Sequence, residues 1–422
     1  MRLAVMVGVV VVFAVLVERP VAGSSTDYKA LYEAHRWFEL RDAVMKTSNA
    51  PPLYCGAVAA AFNDRPRADT ILNKLIHSPS AAKDDVYEGY NILAHMLLDA
   101  GQYRQFGVIV REKWRVFPDK AGEELKDYGA FLSLPNQKVG APGRSLVSIK
   151  EQTWIPLTIN GSHAEYFFDT GAVPAMSESE AKRLGMTILD SDGTTGTSTG
   201  QRVGFRIAVA KDLAVGGTKF RDVSFLIFPD DQKPWASLPP GRRGLLGIPV
   251  LLGLHRLEWS NDQTLRVGGT SSKHDIPSSN LYFDDDHLVV LAMFQDRPIA
   301  LTLDTGAETT DLYGKFATEF SSLINQSGKR ISQKVEGVSN NAEFEAISVP
   351  EVVLRIGSFP AALKPAHVII KQLGQAWSYG NLGLDVITQA DKFVIDFDTM
   401  TLQMTHSPAN RIKSNLSRSA VR

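Results

Sequence analysis

The residues best placed to do chemistry are two aspartates in matching surroundings. Asp169 and Asp304 each open the tetrapeptide Asp-Thr-Gly-Ala, at 169–172 and 304–307, directly after an apolar, strand-like run. Two carboxyls can do together what neither does alone: the ionised one takes a proton from water while the protonated one donates to an oxygen. Carboxyls about 3 Å apart cannot both ionise, so such a pair shares a proton and its two titrations separate.

The repeat runs beyond the tetrapeptide. Gly247, in the apolar segment 244–251, lies 78 residues after Asp169, and Gly383, in 380–387, lies 79 after Asp304. Each half then closes with strand-like runs, at 255–259 with 264–267 and at 392–397 with 401–404. Short β-branched and aromatic runs punctuated by glycine fill both halves and predict an all-β unit present twice.

On these residues each half resembles a retropepsin-type aspartic peptidase lobe. Phe167 and Phe168 before Asp169, Leu301 to Leu303 before Asp304, and the later Leu245-Leu246-Gly247 and Asn381-Leu382-Gly383 carry the resemblance, with Asn381 departing from the apolar pattern. It spans about 147–405 and implies two lobes packed as a pseudo-dimer around one site, with Asp169 and Asp304 catalytic and with peptide or protein as substrate. Thr170 and Thr305 would then bond across the joint, and Gly171 and Gly306 would let amides approach the carboxylates, with Ala172 and Ala307 beside them. Gly196, Gly200 and Gly337 fall in the flap position. No metal or organic cofactor is required. After the motif the halves differ: Pro174 has no amide to donate, whereas Glu308 and Asp311 add carboxyls, read as solvent-facing acids at a helix start.

The rest of the chain must position these lobes. Its 422 residues imply several domains, and 44% hydrophobic with 22% charged residues is an ordinary globular composition. Residues 1–23 read as a signal peptide, since the uncharged apolar run 3–17 is shorter than the roughly 20 residues of a spanning helix. A secreted or periplasmic protein with no membrane span after signal removal is expected; an uncleaved anchor is the lesser alternative. Residues 24–131 carry apolar positions three and four apart and turn signals that predict five or six helices in hairpins, with 97–118 similar to part of a tetratricopeptide repeat. A linker at 132–145, lobe 1 at 146–268, a linker at 269–280, lobe 2 at 281–406 and a basic tail at 407–422 complete the plan. The helical region leaves room for a protein partner.

Other chemistries lack their residues. The net charge of -1, from 45 basic and 46 acidic residues, gives nucleic acid no basic field to meet. There is no His-Glu-x-x-His and no phosphate-binding glycine loop. The single cysteine, Cys55, reads as a buried helix residue. Asp284, Asp285, Asp286 and His287 read as a solvated turn. The competing account of the whole chain is a catalytically weak or inactive peptide-binding module, with the helical region as its partner-binding arm.

Overall fold

A computed structural model describes residues 26–120, 129–141, 143–149, 153–197, 200–269, 278–337 and 341–406. The leader at 1–23, the tail at 407–422 and most of the second linker lie outside them. Six helices come first: α1 (Tyr28–Glu33), α2 (Trp37–Lys46), α3 (Pro52–Ala61), α4 (Arg65–Ile76), α5 (Lys83–Asp99) and α6 (Tyr103–Val116). They stack as three consecutive hairpins, as the turn signals predict. α6 buries Phe106, Ile109, Val110 and Trp114, the three- and four-residue spacing that makes one apolar face. Cys55 is half-buried in α3, not fully buried, and its Sγ lies 3.5 Å from the Ala50 carbonyl. None of the described helices is long and apolar enough to cross a membrane.

Two β bodies follow. In the first, Trp154–Ile159 and Ser162–Phe168 form a hairpin whose strands alternate inward and outward. Its two-residue loop, Asn160 and Gly161, has positive φ at both positions, the turn whose twist matches that of paired strands. The second body repeats the device with His287–Phe294, a positive-φ pair at Gln295 and Asp296, and Arg297–Leu303. The late strands of the two bodies pair with each other: Arg256–Ser260 runs antiparallel to Lys392–Asp396, with Glu258 opposite Val394. A five-stranded sheet results, built from both halves. Trp259 stacks on Phe393 within it, ring centres 4.7 Å apart.

The segment 132–145 corrects the expectation of a plain linker. Its glycines and prolines end the helical period, but its backbone and side chains are taken up by both neighbours. Asn136 Oδ1 accepts from the amides of Arg104 and Gln105 at the start of α6, at 2.9 and 3.3 Å. Gln137 is buried, and its Nε2 donates to the Pro249 carbonyl at 2.7 Å. Lys138–Val139 then adds an edge strand against Phe220 and Arg221. The segment is a strap.

The helices lie against both β bodies. α5, α6 and Phe131 share an apolar core with Phe205, Leu226, Phe228 and Trp235 of the first. Trp37, Leu40 and Ala57 pack with Tyr282, Val289 and Trp377 of the second. Here the acidic cluster departs from the solvated-turn expectation. Asp285 and Asp286 are exposed, but Asp284 is 2% exposed and accepts from Trp37 Nε1 at 2.7 Å and His35 Nδ1 at 2.8 Å. A carboxylate at the end of a strand is tolerated inside because two donors from the helical region meet it. Asp284→Ala leaves the buried indole N–H without its acceptor, so we expect a loss of about 2 kcal/mol or more, read from the midpoint of urea unfolding, with Asp284→Asn losing less.

Candidate active site

Each aspartate sits at the end of a central strand. Phe167 and Phe168 pair in parallel with Leu245 and Leu246, and the Asp169 amide donates to the Leu246 carbonyl at 3.0 Å. Thr302 and Leu303 pair in parallel with Asn381 and Leu382, and the Asp304 amide donates to the Leu382 carbonyl, again at 3.0 Å. Behind each loop a glycine is required by close backbone approach. A Cβ on Gly247 would lie 2.3 Å from the Ala172 carbonyl oxygen, and one on Gly383 2.7 Å from that of Thr309. The amides of Ile248 and Leu384, one residue further on, donate to Ala172 and Ala307 at 2.9 Å each.

The loops are locked to one another by their threonines. The Thr170 amide donates to Thr305 Oγ1 and the Thr305 amide to Thr170 Oγ1, both at 3.1 Å. Each hydroxyl also donates across the joint, Thr170 Oγ1 to the Leu303 carbonyl at 2.6 Å and Thr305 Oγ1 to the Phe168 carbonyl at 2.9 Å. Both threonines are 1% exposed, so these bonds face no competition from water.

The lock brings the carboxyls together. A Cβ on Gly171 would stand 2.9 Å from the Asp304 carboxyl carbon, and one on Gly306 2.5 Å from Asp169 Oδ2. Only glycine leaves room at either place. The Gly171 amide donates to Asp169 Oδ1 at 2.8 Å and the Gly306 amide to Asp304 Oδ1 at 2.9 Å. Both aspartates are half-buried, while the glycines beside them are exposed, so the pair opens to the surface on that side. Burial first, and then the Asp304 charge, push the Asp169 carboxyl well above the usual carboxylate range.

The structure therefore brings together every residue of the two tetrapeptides. The flap-position glycines lie elsewhere, on hairpins. Gly196 ends the strand Ile188–Gly196, and Gly200, with φ of 78°, shapes the turn into Arg202–Val215. Gly337 follows Lys329–Glu336, the first strand of the matching hairpin.

Two residues carry more than the sequence showed. Asp311, expected to face solvent, is 9% exposed in the short strand Asp311–Leu312 and is pushed up to about 6 by burial and then by Asp385. Glu308 is exposed, as expected. Asn381 Nδ2 donates to Asp304 Oδ2 at 2.8 Å; its only signal in the sequence is a polar residue where the first half has Leu245.

The threonine lock predicts a non-additive pair. Thr170→Val and Thr305→Val each remove a hydroxyl without changing shape and strand a buried amide, a loss of about 2 kcal/mol apiece. Unfolding of the double variant is expected to cost less than the sum, because the contact of Thr170 Oγ1 with Thr305 Oγ1, at 3.5 Å, is already lost in either single variant.

Residues 155–250 match a family model described as aspartyl protease. Among solved structures, a retropepsin-like aspartic protease from Rickettsia conorii is similar at 17% identity, covering 31% of this chain and 92% of that one, with a TM-score of 0.22. The EIAV protease, in complex with an inhibitor, is similar at 18% identity, covering 29% of this chain and 93% of that one, with a TM-score of 0.18. No curated protein sequence matches. Residues 155–250, the stretch that holds Asp169 and Gly247, are thus similar to an aspartyl protease domain.

Proposed function

We propose that the chain is an aspartic endopeptidase whose two β lobes, related by internal duplication, pack as a pseudo-dimer around one catalytic pair, Asp169 and Asp304. The observation that carries this reading is the reciprocal threonine lock with each glycine set against the opposite carboxyl. Such an arrangement holds two carboxyls in one place although their charges repel, and a binding turn has no physical need of it. Nothing in the geometry favours the alternative of an inactive cradle.

In the proposed reaction a water lies between the carboxyls. The ionised carboxylate takes one of its protons as the oxygen bonds to the peptide carbonyl carbon, while the protonated carboxyl donates to the carbonyl oxygen. The tetrahedral adduct then collapses: one of its hydroxyls returns a proton to the carboxyl that had donated, the C–N bond breaks, and the amine leaves with the proton that the other carboxyl took from water. The pair ends with one proton, as it began. The hairpins bearing Gly196, Gly200 and Gly337 are proposed to close over the peptide and exclude water. The helical region, packed on both lobes, supports a fixed brace with outer faces open to a protein partner. The leader supports a secreted or periplasmic location, with no membrane span once it is removed.

The test is hydrolysis of a mixed peptide library from acid to neutral pH. Asp169→Asn and Asp304→Asn are each expected to lower kcat by about 10³-fold or more, since each carboxyl has its own proton to move. Full activity in either variant would overturn the shared pair. The rate is expected to follow a bell: on the alkaline side it falls as pH rises through the raised titration of Asp169 and the donor proton is lost, and on the acid side it falls as the second carboxyl is protonated.

A further inference from the structure

The two carboxyls are held by unequal sets of donors. Asp304 Oδ1 accepts from the amides of Gly306 at 2.9 Å and Ala307 at 3.2 Å, and its Oδ2 accepts from Asn381 Nδ2 at 2.8 Å. Among the described residues, the backbone and side-chain amides of lobe 1 supply Asp169 with the Gly171 N–H alone, at 2.8 Å. The inequality comes from two positions, the Ala307 amide and the side chain of Asn381. Asn381 stands in register with Thr302 just as Leu245 stands in register with Phe167, and a leucine has nothing to donate.

An amide N–H cannot accept the carboxyl proton; it stabilises the ionised form of the oxygen it faces and opposes protonation there. Three such donors converge on Asp304 and one on Asp169. A pair obliged to share one proton therefore carries it on the less-donated side. Resting on the reading of Asp169 and Asp304 as a shared pair, we propose that Asn381 is a positioning residue that fixes the proton on Asp169 and leaves Asp304 as the ionised member that accepts the proton of water. The direction of the reaction is thereby set: Asp169 donates to the carbonyl oxygen and Asp304 activates the nucleophile.

The remaining groups around Asp304 agree with one charge at that position. Asp169 faces it from the opposite loop. From its own lobe Tyr313 stands near, its phenol pushed up by burial and by Asp311 and Asp304, so it stays neutral. Asp311, opposite Asn381 in the short antiparallel pairing, accepts from Gln333 Nε2 at 3.1 Å, and Asp385 lies behind it, accepting from Thr310 Oγ1 at 2.6 Å. Among the described residues no cation is recorded beside the pair, so amide donors do the work.

The experiment is a carboxyl ¹³C titration of the aspartate-labelled full chain, with the two pair signals identified by their loss in Asp169→Asn and Asp304→Asn, run beside the pH profile of kcat. In the parent, between the pair's two titration steps, the proton is expected on Asp169. In Asn381→Leu, which copies the first lobe's residue, the lower step is expected to rise by about one pH unit, as for an ionised carboxyl losing one donor, and the acid limb of kcat to move with it. Asn381→Asp, close in shape, keeps a donor only while protonated, so its activity is expected to survive on the acid side and fall early as pH rises. If Asn381→Leu lowers kcat or the melting temperature while both the ¹³C step and the acid limb stay in place, Asn381 is merely structural and the proposal fails. If the ¹³C step moves but the parent hydrolyses no peptide, the proton assignment holds and the peptidase reading is the one that falls.

Discussion

Two carboxyls pressed together repel unless one keeps its proton, and the molecule is arranged to enforce that contact. The threonine lock supplies the force. Four buried hydrogen bonds join two loops that lie 135 residues apart in the chain, and the exposed glycines beside them leave no side chain to hold the carboxyls apart. The burial that raises Asp169 follows from the same joint. Remove the lock and the aspartates become two ordinary strand-end acids.

The two halves are alike in backbone and unlike in side chain. Each has a two-residue hairpin turn with positive φ, a central strand ending in aspartate and a glycine behind the loop at nearly equal distance. The differences lie where a symmetric pair would need none: Pro174 in one loop, a buried Asp311 in the other, and Leu245 against Asn381. Two like loops joined by one lock thus present two distinguishable sides to the carboxyl pair.

Much of this was legible in the sequence because it is written in short, local and repeated units. Asp169, Asp304, their threonines and glycines, and Gly247 and Gly383 are recognisable by identity and spacing alone, and α1 to α6 follow from apolar period and turn residues. What could not be read depends on pairings between distant segments. Asp311 is buried because its strand lies between 366–369 and 380–382, and Asp284 because Trp37 and His35 arrive from the helical region. Asn381 reaches Asp304 through a strand register that nothing near residue 381 encodes. Gln137 belongs to a segment whose prolines and glycines signal only that a helix has ended, not that a strap begins.

The five-stranded sheet shared by the halves has a consequence for the order in which the molecule is made. Its pairing of Arg256–Ser260 with Lys392–Asp396 draws on nearly the last described strand, and Thr170 is incomplete without Thr305. A ribosome that has delivered the helices and the first lobe has delivered half a joint and a single aspartate. The pair comes into being only when the closing strands emerge, so the growing chain holds no shared carboxyl proton until it is nearly complete.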